Sequence, residues 1–329
     1  MQTNFTPGHR EALLHLLEEV RLTEGEVSER LRQALDPLYW RELNPSLSID
    51  GENSGPDVET TSIGSSERAK LEEDFAGKGY FQIDSLLSHA TVEPLKAGIE
   101  SVRAAGWPGV FSFVYDQFWT ASRAPSLVNL LSRILGPGYK QSCHLWSHYV
   151  HPQQGAAGWP PHLDNYGRPD RVTVWFALSD ATLDNGCLYL IPKDLTPPGI
   201  AEKFVKLDTV PLSDLRALLQ GGRALPVRAG AVLGWGPEVI HWGAYAAEQT
   251  QPRISISQEF VAKSLTRRED EIPLFDTSGT LPRFEQRLYA VGKGILAYQR
   301  VETLLIRYLD LAEGLVAATT SGATRDSAR

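Results

Sequence analysis

The stretch "RVTVWFALSDATLDNGCLYLIP", residues 171–192, holds two runs of β-branched, aromatic and aliphatic residues on either side of Asp184-Asn185-Gly186. Asn-Gly accepts the positive φ angles of a tight hairpin turn, and the flanking runs have the composition of strands. The sequence therefore predicts a hairpin whose arms are 171–181 and 187–192. Working outward, further short strand-like runs recur between turn signals: "GVFSFVYDQFW" (109–119), "SCHLWSHYVH" (142–151), "GAVLGWG" (230–236) and "RISISQEFVA" (253–262). Regular short strands of this kind, between about residues 110 and 262, read as an antiparallel sandwich or barrel.

Both flanks switch to helical spacing. Leu13, Leu14, Leu16, Leu17, Val20, Val27, Leu31 and Leu35 recur at helical intervals over 9–36, and an apolar stripe including Leu288, Val291, Ile295 and Leu311 runs through 283–316. Shorter helices are expected near 66–76 and 91–105, with a strand at 79–84 between them. The expected organisation is mainly β with flanking helices. Residues 1–65 form a helical extension and polar loop, 66–262 a β core with its lead-in helices, 263–318 a helical segment packing on that core, and 319–329 a disordered tail. The C-terminal stripe packs on the barrel in this reading, with a homodimer contact as its second use.

Composition narrows the class of partner. The 329 residues carry a net charge of −8, which disfavours nucleic acid or an anionic membrane surface. No apolar run reaches the length of a membrane span. The two cysteines, Cys143 and Cys187, cannot build a disulfide framework or a cysteine-rich zinc site. No signal peptide is visible at the start, so the expected setting is the cytoplasm and the expected partner a small molecule.

Within the β region, "GWPPHLDNYG" (158–167) places His162 and Asp164 two residues apart. With 8 His and 40 Asp or Glu in 329 residues, chance supplies about one His-x-acid pair, so the pair means little alone. Its meaning comes from downstream. "WGPEVIHWG" puts His241 at the end of a strand that begins after "RAGA". Arg253 then opens a strand in which Arg253, Ser255 and Ser257 share one face and Ile254 and Ile256 the other. Two imidazoles and one carboxylate make the donor set that holds Fe(II) while leaving positions open. Arg253 offers a planar fork of donors suited to a carboxylate cosubstrate, and Ser255 a further hydrogen bond on the same face.

Three segments together resemble the phytanoyl-CoA dioxygenase family of Fe(II)/2-oxoglutarate oxygenases: "HLD" (162–164), "DATLDNGCLYLIPKD" (180–194) and "AGAVLGWGPEVIHWG" with "RIS" (229–255). The resemblance covers about 79–262. It implies a double-stranded β-helix (jelly-roll, cupin-like) core, Fe(II) held by His162, Asp164 and His241, and 2-oxoglutarate and O2 as cosubstrates. It also implies Arg253 with Ser255 on the distal carboxylate of 2-oxoglutarate, and Trp175 lining that site. Because Asp164 is present, hydroxylation rather than halogenation is the implied outcome, on a small metabolite or natural-product intermediate. An amino-acid or peptide substrate is the alternative within the class. A cupin-like isomerase or binding protein that does not use 2-oxoglutarate is the alternative outside it.

Other polar residues are further candidates. His144, His148 and His151 cluster on one expected strand, but no carboxylate joins them. Barrel hydrogen bonds are the expected role, with His144 also a candidate neighbour of the cosubstrate. Tyr115 and Gln117 alternate in "VYDQFW" and are candidate substrate contacts, as are Asn165, Tyr166 and Arg168 on the loop after the ligand pair.

Overall fold

The computed structural model describes residues 21–51, 58–206, 211–247, 251–263, 274–277, 279–299 and 301–323. Among these described residues nine strands follow in chain order: β1 (Tyr80–Ile83), β2 (Lys140–Val150), β3 (Arg171–Ala177), β4 (Leu188–Ile191), β5 (Arg223–Leu225), β6 (Val232–Trp235), β7 (Ile240–Gly243), β8 (Arg253–Val261) and β9 (Phe275–Asp276). They form a six-stranded sheet of order β1-β6-β3-β8-β2-β9 and a three-stranded sheet of order β5-β4-β7. All pairings are antiparallel. The two sheets meet through a shared apolar cluster that includes Trp175 and Leu233 from the larger and Leu188, Leu190 and Leu225 from the smaller. This is the expected jelly-roll core.

The strand period of two sorts the large sheet's side chains. Val172, Val174 and Phe176 of β3 and Ile254, Ile256 and Phe260 of β8 belong to the main core. The C-terminal helix Phe284–Tyr298, which supplies Leu288, Val291 and Ile295 to that core, packs along β2 and against a second helix, Leu309–Ala323. The intervening residues Thr173, Trp175, Arg253 and Ser257 face the space between the sheets.

Close packing on the core face leaves no room at Gly234. It pairs with Phe81 of β1 and Val174 of β3, and a Cβ there would lie 2.2 Å from the Phe81 ring. Gly234→Ala is expected to destabilise the protein by about 1–3 kcal/mol, the usual cost of overpacking. An unchanged thermal midpoint would refute that contact.

Three expectations need correction. The arms of the expected hairpin do not pair, because β3 lies in the large sheet and β4 in the small one. The Asn-Gly turn is real: Asn185 Oδ1 accepts from Thr182 N at 2.7 Å, Asn185 Nδ2 donates to Asp180 O at 2.8 Å, and Gly186 has φ 85°. It is a corner between sheets, since β3 finds its partners in β6 and β8. Likewise the strand expected to run from "RAGA" to His241 breaks between Gly236 and Val239, so β6 and β7 lie in opposite sheets. The run 109–119 is helical, a 3-10 turn over Gly109–Val114 followed by the helix Asp116–Thr120. A short, mostly apolar run is compatible with either a buried strand or a buried helix, and every residue of it is buried.

At the ends, Glu24–Ala34 is helical behind a Thr23/Glu26 capping box, while residues 9–20 of the expected first helix lie outside the described residues. The helix Leu309–Ala323 continues into the segment expected to be a disordered tail; 324–329 lie outside the described residues. No helix among the described residues is long and apolar enough to cross a membrane.

Candidate metal centre and its cavity

His162 and His241 are brought together by main-chain pairing. The His162 N–H donates to the His241 carbonyl and the His241 N–H to the His162 carbonyl, each at 3.0 Å. Directly opposed residues of an antiparallel pair project to the same side, and the two imidazole rings lie with centroids 4.2 Å apart. Asp164, two residues on, reaches the same point. Its Oδ1 is 3.6 Å from His162 Nε2 and its Oδ2 3.5 Å from His241 Nε2. One ligand atom from each of the three residues falls within a 4.8 Å cluster, the only group of three or more such residues found among the described residues.

Each ligand is oriented from behind. His162 Nδ1 lies 2.7 Å from the Pro160 carbonyl and His241 Nδ1 3.0 Å from the Val239 carbonyl. A carbonyl only accepts, so both Nδ1 atoms carry the proton and both Nε2 lone pairs face the cluster. Asp164 Oδ2 accepts from Thr173 Oγ1 at 2.8 Å and from Trp235 Nε1 at 3.0 Å, which stops the carboxyl from rotating. Burial drives the His241 pKa down to about 4, so this imidazole is neutral near pH 7. Burial opposes ionisation of Asp164, but the adjacent imidazoles and the Thr173 and Trp235 bonds outweigh it and hold its carboxyl below the usual range.

The cluster opens into a cavity of about 350 Å³. Arg253, 1% exposed, lies on the wall of this cavity. Its Nη1 donates to Ser255 Oγ at 3.0 Å, its Nε has no hydrogen-bond partner, and no carboxylate among the described residues pairs with it. Burial lowers its pKa to about 10. Gly158 and Gly243 make the room for the guanidinium, since a Cβ at either would come within 2.7 or 3.2 Å of Arg253 Nη2. The indole of Trp175 lies beside it, centroid 5.8 Å from the Arg253 Cζ, with its own Nε1 unpartnered. Trp159 and Tyr298 close another side, with ring centroids 4.9 Å apart. Burial, with Asp164 and Glu259 nearby, pushes the Tyr298 phenol well above its usual pKa, so it stays protonated.

The sequence-derived candidates divide cleanly. His162, Asp164, His241, Arg253, Trp175, His144 and Asn165 line the cavity. Ser255 stands behind Arg253, fully buried. His144 and Asn165 both turn to Glu259, whose carboxylate takes their polar atoms. His148, with its pKa lowered to about 3 by burial and then by Arg253, pairs with Ser257 at 3.1 Å. Tyr166 is 37% exposed, and neither it nor Arg168 lines the cavity. Tyr115 and Gln117 sit in the helical layer away from it. The Tyr115 hydroxyl donates to the Trp40 carbonyl and accepts from Asn44, and Gln117 bonds Ser48.

The sequence reading missed Thr173, Trp235, Glu259 and Tyr298. The first three sit on the cavity face at strand period two from Trp175, Leu233 and Ser257, a signal that was there to extend. Tyr298 comes from a helix more than a hundred residues downstream of the ligand loop, and nothing local announces it.

Two imidazoles and one hard carboxylate, oriented from behind and facing an open cavity, fit Fe(II). The buried guanidinium without a carboxylate fits 2-oxoglutarate. Comparison with known proteins gives the same grouping. Solved structures of the same fold include the non-heme monooxygenase ThoJ in a nickel complex (17% identity, TM-score 0.53, covering 71% of this chain and 99% of that one). Another is the non-heme alpha ketoglutarate dependent epimerase SnoN from nogalamycin biosynthesis (15% identity, TM-score 0.50, covering 67% and 99%). An Arabidopsis thaliana protein named phytanoyl-CoA dioxygenase is 35% identical over 100 residues, spanning 29% of this chain and only 33% of that relative. A family model described as phytanoyl-CoA dioxygenase (PhyH) matches residues 75–254, more than half of the chain and the whole span from β1 to the start of β8. With the candidate metal-ligand cluster inside that span, the chain belongs to the phytanoyl-CoA dioxygenase (PhyH) family.

Proposed function

We propose that this Fe(II)- and 2-oxoglutarate-dependent family member hydroxylates an unactivated C–H bond of a small metabolite or natural-product intermediate. The observation that carries the proposal is the pairing of the His162–Asp164–His241 cluster with the buried, carboxylate-free Arg253 on one cavity of about 350 Å³. When bound, Fe(II) with 2-oxoglutarate and O2 supplies the oxidation, with succinate and CO2 as co-products. The protein's part is binding and shielding. His162, Asp164 and His241 would hold the ion at the wall of the cavity that they line. Arg253, steadied by Ser255, takes the distal carboxylate of the cosubstrate, and Trp175 covers it. Trp159 and Tyr298 give the substrate an apolar wall and keep bulk water out.

The test is anaerobic addition of Fe(II) and then 2-oxoglutarate to the metal-free protein. A weak visible charge-transfer band is expected, absent in His162→Ala. No band in the wild type, or an equal band in the variant, would sink the reading. Aerobic incubation with a metabolite panel should then give succinate together with a product heavier by one oxygen atom. Succinate coupled to a product of unchanged or reduced mass would keep the cofactors and discard hydroxylation.

A further inference from the structure

Directly after Asp164 the chain turns sharply. Asn165 sits at φ 49°, in the left-handed region, and its carbonyl accepts from Arg168 N at 3.1 Å. Asn tolerates this backbone better than most residues. The turn carries the Asn165 amide across to β8, where its Nδ2 donates to Glu259 Oε2. The other oxygen of Glu259 accepts from Arg171 Nη1 at 2.6 Å and from Ser142 Oγ at 3.0 Å, and lies 3.1 Å from His144 Nδ1. Glu259 is 4% exposed and Arg171 2%.

One carboxylate thus joins β2, β3, β8 and the loop that carries two of the three candidate metal ligands. A buried ion pair is a poor way to fill a core, because apolar residues of similar volume close the same gap at less desolvation cost. Its distinctive contribution here is direction. Thr173 and Trp235 fix the rotation of the Asp164 carboxyl, but they do not fix the backbone that delivers it. His162 upstream is held by main-chain pairing with His241. The downstream end is held by Asn165 on Glu259.

We infer that Glu259, acting through Asn165, is a positioning residue for the metal centre. It sets the loop so that Asp164 stays aimed at the point where the two imidazole Nε2 atoms converge. This rests on reading His162, Asp164 and His241 as metal ligands. It also gives His144 and Asn165 a structural task in place of the cosubstrate and substrate contacts expected from sequence.

The test uses Co(II) as the probe, titrated into the metal-free full-length protein and followed by its visible d–d band. Three variants are compared with wild type. Asn165→Gly removes the amide while accepting the positive φ. Glu259→Gln keeps an acceptor but removes the charge. Ser142→Ala removes one bond to the same carboxylate without touching the loop.

Asn165→Gly and Glu259→Gln are expected to weaken Co(II) binding by about 10- to 100-fold, the usual effect of losing an outer partner of a metal ligand, and to change the band shape. Ser142→Ala should stay within about threefold of wild type. Melting of the metal-free proteins is recorded in parallel. The inference is overturned if Asn165→Gly binds Co(II) like wild type. It is equally overturned if Ser142→Ala loses as much affinity, since the cluster would then act only through general packing. Should Glu259→Gln fail to fold, Asn165→Gly decides alone, because it strands no buried charge. A wild-type Co(II) band indifferent to His162→Ala overturns the metal-centre reading itself, a failure distinct from loss of the loop effect.

Discussion

His241→Ala is expected to abolish the iron- and 2-oxoglutarate-dependent visible band and to lower turnover by on the order of 10³-fold or more, at least about 4 kcal/mol at 1.36 kcal/mol per decade. The expectation follows from what the residue does and does not hold up. The residue is 4% exposed, its imidazole kept neutral by burial and aimed by the Val239 carbonyl so that only Nε2 faces the cluster. No other His, Cys, Asp or Glu among the described residues completes a second group of three that could take its place. The pairing of His241 with His162 runs through main-chain atoms, and alanine preserves it. Loss of function should therefore come with a nearly unchanged fold, read by circular dichroism and the melting point. A variant that melts far lower would make the loss uninformative about the metal. A well-folded variant that keeps the band would remove His241 from the ligand set.

Much of this site was legible in the sequence for a simple reason. Its chemistry is written on strand alternation and on a three-residue loop, both of which survive without knowledge of the fold. Arg253, Ser255 and Ser257 share a face in any strand, whichever partner that strand finds. What could not be read was pairing between distant segments. Asn185-Gly186 has the same local chemistry in a hairpin and in a corner between sheets. The choice was made by β6 and β8, which flank β3 and leave β4 to the other sheet. The run from Gly109 to Trp119 failed for a related reason, since its apolar residues are buried all round and carry no period to distinguish helix from strand. Tyr115 and Gln117 went wrong with it, because an assumed strand pointed them toward a cavity that the helix does not face.

The prolines of "GWPPHLDNYG" changed meaning once the structure was in view. As sequence they look like stiffening of an entrance. In the fold, Gly158 gives the Arg253 guanidinium its space, Trp159 forms a cavity wall, and the Pro160 carbonyl selects the His162 tautomer. Three consecutive residues ahead of the first ligand thus serve both ends of the site, the guanidinium and the ion.

Arg253→Met should separate binding from stability in opposite directions. Affinity for 2-oxoglutarate, measured on the metal-loaded protein, is expected to fall by about 100-fold or more, since a charge-assisted bidentate contact is among the strongest available to a carboxylate. The metal-free protein, by contrast, should melt no lower than wild type and is expected to gain about 1–3 kcal/mol. Arg253 is 1% exposed, its pKa is lowered to about 10 by burial, its Nε is unpartnered, and its one hydrogen bond to a described residue goes to the neutral Ser255 hydroxyl. Without cosubstrate it is a buried charge lacking a carboxylate, which the fold carries at a cost. Methionine fills the same channel between Gly158, Gly243 and Trp175 with no charge to desolvate. Arg253→Lys should fall between the two, keeping a charge but losing the planar fork. If Arg253→Met destabilises the protein while 2-oxoglutarate still binds at wild-type affinity, the arginine belongs to the scaffold and the cosubstrate site must lie elsewhere in the cavity.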